Sequence, residues 1–191
     1  MKPIFFCLLT FLATNCKSFE PLTLPKQEFT RDNLKLDGYY YIFKDEKVGY
    51  GYDTKQYDVF ILFQNGVYYN AVSGGYDPNL SKVENQKKLD YEVNEKVIRQ
   101  KDYVKTQIGW GVFNVQGSEI KTECWTSGSG GTYPTQMIMG EIINDSTIRF
   151  TKRKGGYMGG FGKRKKTFEM DETYHFRQFS PKPDSANIYI K

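Results

Sequence analysis

Histidine, cysteine and alanine are scarce in this chain, and each scarcity removes a class of protein. Of 191 residues one is histidine, His175, and three are cysteine. A zinc site takes three or four His, Cys or carboxylate ligands, so no metal centre is expected. A Ser-His-acid arrangement has only His175 to work with, and no Gly-x-Ser-x-Gly turn exists to present a nucleophile. Paired carboxylates are also missing. Asp171 and Glu172 are adjacent and point to opposite faces of a strand, while Glu119 and Glu123 lie roughly 13 Å apart along one. Asp45-Glu46-Lys47 and Asp32-Asn33 lack calcium-loop spacing, and the glycines from Gly155 to Gly162 lack the Lys-Ser/Thr ending of a P-loop. No apolar run approaches the about 20 residues a membrane-crossing helix needs. No catalytic residue, metal or cofactor is expected.

The chain does carry a short apolar run at its start. Lys2 precedes Ile4 to Ala13, the plan of a secretory signal. With Leu12-Ala13-Thr14-Asn15 before Cys16, the segment resembles a bacterial lipoprotein signal in its relaxed Bacteroidetes-like form. That resemblance implies that residues 1–15 are removed and that Cys16 receives a diacylglycerol thioether. Membrane lipid is then a partner through the acylated N-terminus. Lys17 after the cysteine implies delivery to the outer membrane, with the periplasmic or surface face open. An ordinary cleaved signal and an uncleaved core segment are the alternatives. Cys7 leaves with the signal, so Cys124 stands alone and reads as a small core residue of a strand. Pro21 and Pro25 mark residues 16–33 as a tether, and 34–191 as one domain with a core of its own.

Fifteen tyrosines and 14 phenylalanines favour sheet over helix. The run Tyr57 to Gln64, then Asn65-Gly66, then Val67 to Val72 reads as a hairpin on a type I′ turn. Gly109 to Val115 and Glu119 to Trp125 flank a Gln116-Gly117 turn. In the second of these, Ile120, Thr122 and Cys124 share one face, and Glu119, Lys121 and Glu123 make a charged outer one. Gln136 to Ile143 turns at Asn144-Asp145 and returns as Thr147 to Thr151. Tyr39 to Phe43 is an early strand and Thr173 to Phe179 a late one. Between hairpins, Leu80, Val83, Leu89, Val93 and Val97 fall at helical spacing, which predicts a short helical insertion near 79–104 capped by Asp77 or Asn79. The class is all-β: an antiparallel up-and-down meander curled into a barrel or half-barrel.

Leu36-Asp37-Gly38-Tyr39-Tyr40, the hairpin Val59 to Gly66, the strand Gly109 to Val115 and the pair Gly140-Glu141-Ile142 with Thr147 to Phe150 together resemble lipocalin-like envelope lipoproteins of Bacteroidetes type. The resemblance covers about Leu34 to Asn187. It implies a central pocket for an apolar or amphipathic small ligand, or a surface for an envelope protein. Tyr39, Tyr41, Phe63, Tyr69, Trp110 and Trp125 are the candidates to line that pocket, with core filling as the competing role. The basic runs Lys152-Arg153-Lys154 and Lys163-Arg164-Lys165-Lys166 flank the glycine stretch and could stack and pair with single-stranded nucleic acid. An exported chain favours a solvated hairpin tip instead, with phosphate-bearing headgroups or glycans between these readings, so no nucleic-acid partner is expected. A hydrolase using His175 is the rival function. It requires His175 in a cleft beside a hydroxyl or thiol and an acid.

Overall fold

The computed structural model describes residues 19–48, 52–71, 74–95, 103–128, 132–155, 166–182 and 185–191. Its strands are β1 Gly38–Val48, β2 Tyr52–Leu62, β3 Val67–Asn70, β4 Gly74–Gly75, β5 Trp110–Gln116, β6 Glu119–Trp125, β7 Thr135–Asn144, β8 Thr147–Gly155 and β9 Thr167–Gln178. Each pairs antiparallel with its neighbours in the order β1-β9-β8-β7-β6-β5-β3-β2. The first strand also pairs with β2, from Tyr40 opposite Phe60 to Val48 opposite Tyr52, so the sheet closes on itself. The two-residue β4 lies on β2 beyond β3 and belongs to the same stave. The result is an eight-stranded antiparallel closed barrel; the alternation predicts the curled antiparallel meander, and the pairing of β1 with β2 decides for the barrel over the half-barrel. Closure removes the open edges on which sheets aggregate.

The turns differ from expectation in one instructive place. Gly66 N–H donates to Phe63 O and Phe63 N–H to Val67 O, which makes a three-residue loop rather than a two-residue type I′ turn. Gly66 has φ 79°, and a Cβ there would strike the backbone of Gln27. Glycine is thus required both by the turn and by the chain that crosses over it. The helix, α1, spans Lys82–Val93 inside the predicted interval, and Ser81 caps it in place of Asp77 or Asn79. Ser81 and Glu84 form a reciprocal capping box. Buried Asn85 holds the preceding turn, accepting from Asp77 N–H and donating to Asp77 O, Leu80 O and Ser81 O. No helix among the described residues is long and apolar enough to cross a membrane.

Two separate hydrophobic layers flank the barrel wall. Tyr40, Phe60, Leu62, Tyr68, Phe113, Ile120, Cys124, Ile138, Ile148, Phe150 and Tyr174 come from every stave and fill the lumen. On the opposite face of the same strands, Tyr39, Val59, Ile61, Val67, Tyr69, Trp110 and Trp125 form an outer core beneath Leu89 and Val93 of α1. Asp90 of α1 clasps the wall. It accepts from the Tyr39 hydroxyl at 2.7 Å and from the Arg177 guanidinium at 2.7 and 2.5 Å.

From Phe19 onward, the segment read as a tether is packed along the wall. Phe19 and Glu20 lie beside Tyr133, and the Trp125 indole donates to Glu20 O. The Glu20 carboxylate receives Thr135 N–H, and Glu123 receives Thr23 N–H at 2.6 Å and Leu24 N–H at 2.7 Å. The strap then reaches the opposite end of the barrel, where Phe29 N–H donates to Gln64 O and Phe29 and Leu34 plug the lumen. Prolines at 21 and 25 exclude helix from the strap without preventing extended chain from lying on a surface.

Candidate functional site

The lumen has two unlike halves. At the end plugged by Phe29 and Leu34, aromatic rings pack on one another: Tyr40 stacks on Phe60 at 5.2 Å, and Phe60 meets Tyr174 at 4.9 Å and Phe150 at 5.8 Å. Toward the other end, strand alternation turns charged side chains inward. Lys44 lies two residues beyond lumen-facing Ile42, Asp58 two before Phe60, and Glu172 two before Tyr174; Arg153 sits in register with Ile138. Inward parity is thus fixed by residues whose burial is unambiguous.

These groups contact one another. The Lys44 ammonium is 2.8 Å from Asp58 and 2.5 Å from Glu172. Burial acts to depress its pKa, but the hydrogen bonds to both carboxylates outweigh it and hold the group above the ordinary lysine value. The Tyr174 hydroxyl donates to Glu172 at 3.0 Å. Burial, then the Glu172 carboxylate, raises the pKa of Tyr174 far beyond the usual phenol range, and burial does the same to Tyr68, whose hydroxyl meets Thr122. Both phenols therefore stay neutral. The Gln56 amide donates to Asp58.

Arg153 is the member with capacity left over. One guanidinium nitrogen is 3.6 Å from Glu172, and its Nε is buried with no hydrogen-bond partner among the described residues. Its side chain keeps 38% of its exposure, against 10% for Lys44. Lys44 spends its charge on two carboxylates; Arg153 still presents donors that solvent, or a solute, can reach. Arg153 was singled out in the sequence only as the middle of a basic run. Alternation divides that run: Lys152 and Lys154 point outward and Arg153 inward. The connecting residues 156–165 lie outside the described residues, as does Cys16 with the signal segment.

The six aromatic residues proposed to line a pocket are brought together, but outside the barrel. Tyr39, Phe63, Tyr69, Trp110 and Trp125 are buried in the outer core, and Tyr41 packs against it. Tyr69 stacks on Trp110 at 4.4 Å, and Phe63 stacks on the same residue at 6.0 Å. They fill a layer rather than surround a space. Charged outer-face residues are also reassigned: Glu123 points outward as expected, yet it is 1% exposed because the strap covers it. Beside the strap, Leu24, Gln27, Asn114 and Lys121 line a cleft of about 110 Å³, below the 300–1,000 Å³ typical of ligand sites. His175 is exposed on the outer face of β9, in register with Tyr41 and Thr147. No hydrogen bond to its imidazole is found among the described residues. Cys124 is buried facing the lumen, its thiol pushed up to about 12 by burial, with Glu123 adding to the effect.

No protein-family model, curated protein or solved structure matches this chain.

Proposed function

We propose that this protein is a lipid-anchored envelope protein whose barrel binds a small amphipathic ligand without covalent chemistry, taking the ligand's anionic group on Arg153 at the charged end of the lumen. One observation carries this reading. Lys44, Asp58 and Glu172 form a closed ion cluster inside the barrel, and the Arg153 side chain beside them keeps 38% of its exposure while its buried Nε has no hydrogen-bond partner among the described residues. Burying ions is costly, and well-packed apolar side chains of similar size commonly serve stability as well or better. The opposite half of this same lumen is built in that apolar way. A charged half in a barrel able to fill itself with rings therefore favours recognition over stability alone. Lys44 holds the two carboxylates in place, which keeps Arg153 from collapsing onto them both.

The anchor part of the proposal rests on Cys16 and the apolar run before it. His175, exposed and without a hydrogen-bond partner among the described residues, gives the hydrolase reading no comparable support. Native mass spectrometry of the mature protein extracted from its own envelope tests both parts together. The expected spectrum shows a diacylglycerol-modified Cys16 and an additional non-covalent mass that Arg153→Gln removes. An unmodified Cys16 overturns the anchor, and a bare chain in the unsubstituted protein overturns the ligand.

A further inference from the structure

We infer that the charged end of the barrel is held against an anionic lipid surface, so that the lumen opens toward the headgroup layer. This inference rests on the acylated Cys16 of the preceding reading. Phe19 is already docked at that end: it bridges to Tyr133, just before the start of β7, and stacks on its ring at 4.8 Å. Only Lys17 and Ser18 separate it from Cys16. Three residues of fully extended chain span at most about 10 Å. The strap cannot lengthen this reach, because Glu20, Thr23 and Leu24 are bonded to the wall immediately afterward. Seven-residue β6 carries the wall about 20 Å further to the plugged end. An anchor at Cys16 therefore leaves the charged end beside the headgroups and the plugged end far from them.

The surface at that end matches the partner. Phe19, Ile108, Ile188 and Tyr189 are all exposed there. They are linked through the Ile108–Trp125 bridge, the Ile188 N–H to Val104 O bond and the contact of Phe19 with Tyr189. Aromatic and aliphatic side chains of this kind settle at the boundary between headgroup and acyl chain. Around the rim, Lys152, Lys154 and Lys166 are exposed; the acidic groups there among the described residues include Glu169 opposite Lys152, Asp45 paired with Lys55, and Glu20 bonded to Thr135. Their net positive charge complements anionic headgroups. At the opposite end, Ile143 beside the β7–β8 turn is an exposed large apolar side chain among the described residues. Arg153, inside the rim, then faces the layer from which an amphipathic anion would come.

The buried Cys124 makes the test direct, because a thiol introduced on the surface is the only one to label when Cys16 is acylated. The acylated full-length protein carrying Thr167→Cys (charged end) or Ser118→Cys (plugged end) is labelled with a fluorophore and reconstituted into vesicles of phosphatidylcholine, with or without phosphatidylglycerol. The vesicles include a lipid bearing a headgroup quencher. Several-fold stronger quenching at residue 167 than at 118, enhanced by phosphatidylglycerol and reduced by Lys152→Glu with Lys154→Glu, is the expected result. Equal quenching at the two sites, or stronger quenching at 118, overturns the orientation. Quenching at 167 that ignores phosphatidylglycerol overturns the anionic surface as the partner. Label entering the native unsubstituted protein means a free Cys16, and sinks the anchor itself rather than the orientation.

Discussion

Replacing Glu123 with alanine is the sharpest test of the strap. Its carboxylate is buried between β6 and the strap and accepts Thr23 N–H at 2.6 Å, Leu24 N–H at 2.7 Å and the Thr23 hydroxyl at 3.0 Å. Alanine removes the acceptor of both backbone N–H groups in this part-buried site. A buried donor left unmade costs about 1–3 kcal/mol, and exposed Thr23 lets its N–H regain water, so Glu123→Ala should lose roughly 2–3 kcal/mol. Glutamine keeps an oxygen for both amides and an NH₂ for the threonine, forfeiting only charge assistance, roughly 1–2 kcal/mol. Urea unfolding of both variants measures the difference. Amide hydrogen exchange then locates it: Thr23 and Leu24 are slow in the parent and fast in the alanine variant. A Glu123→Ala loss below about 0.5 kcal/mol, within the range of ordinary surface substitutions, would refute the strap as a structural element.

Three further outcomes follow from other contacts. Asp90→Ala should destabilise by about 2 kcal/mol, since it strands the buried Tyr39 hydroxyl while the half-exposed Arg177 regains water; unchanged exchange rates in α1 would show the clasp to be idle. Cys124 should resist iodoacetamide at pH 8 in the native state and react on unfolding, because burial holds its thiol up to about 12; rapid native labelling would place it elsewhere. Lys182 is half-buried where its ammonium donates to Leu36 O and Leu62 O over the Phe63 ring, and burial lowers its pKa to about 8, partly offset by Asp37. The unfolded chain keeps this proton up to about 10.4, so it binds more protons than the folded state between those values and stability should rise with pH across that window. Urea midpoints for the parent and Lys182→Met check this: the rise should vanish in the variant, and a parent midpoint that falls instead would reverse the assignment.

Alternating apolar and β-branched residues, tight turns and a scarcity of alanine were enough to read the all-β class, most hairpins and the helical interval, because these are local properties of the chain. Side-chain parity was legible too: Tyr40 opposes Tyr39 and Tyr41 in any strand. Which parity faces inward was not. In β1, β2, β3 and β5 both faces are apolar, one filling the lumen and the other lying under α1, the strap and the C-terminal tail, so amphipathicity has no preferred direction there. That ambiguity left Tyr39, Phe63 and Trp110 open between lining a pocket and filling a core, and they fill the outer core. Glu123 failed for a related reason, since its cover comes from residues about a hundred positions earlier. The inward cluster of Lys44, Asp58, Arg153 and Glu172 draws one residue from each of four strands, and no local pattern joins them. Sequence alone determined that the chain makes curled antiparallel sheet. Only tertiary structure decided what lies inside the barrel, because closure sets the two faces of every strand against different neighbours.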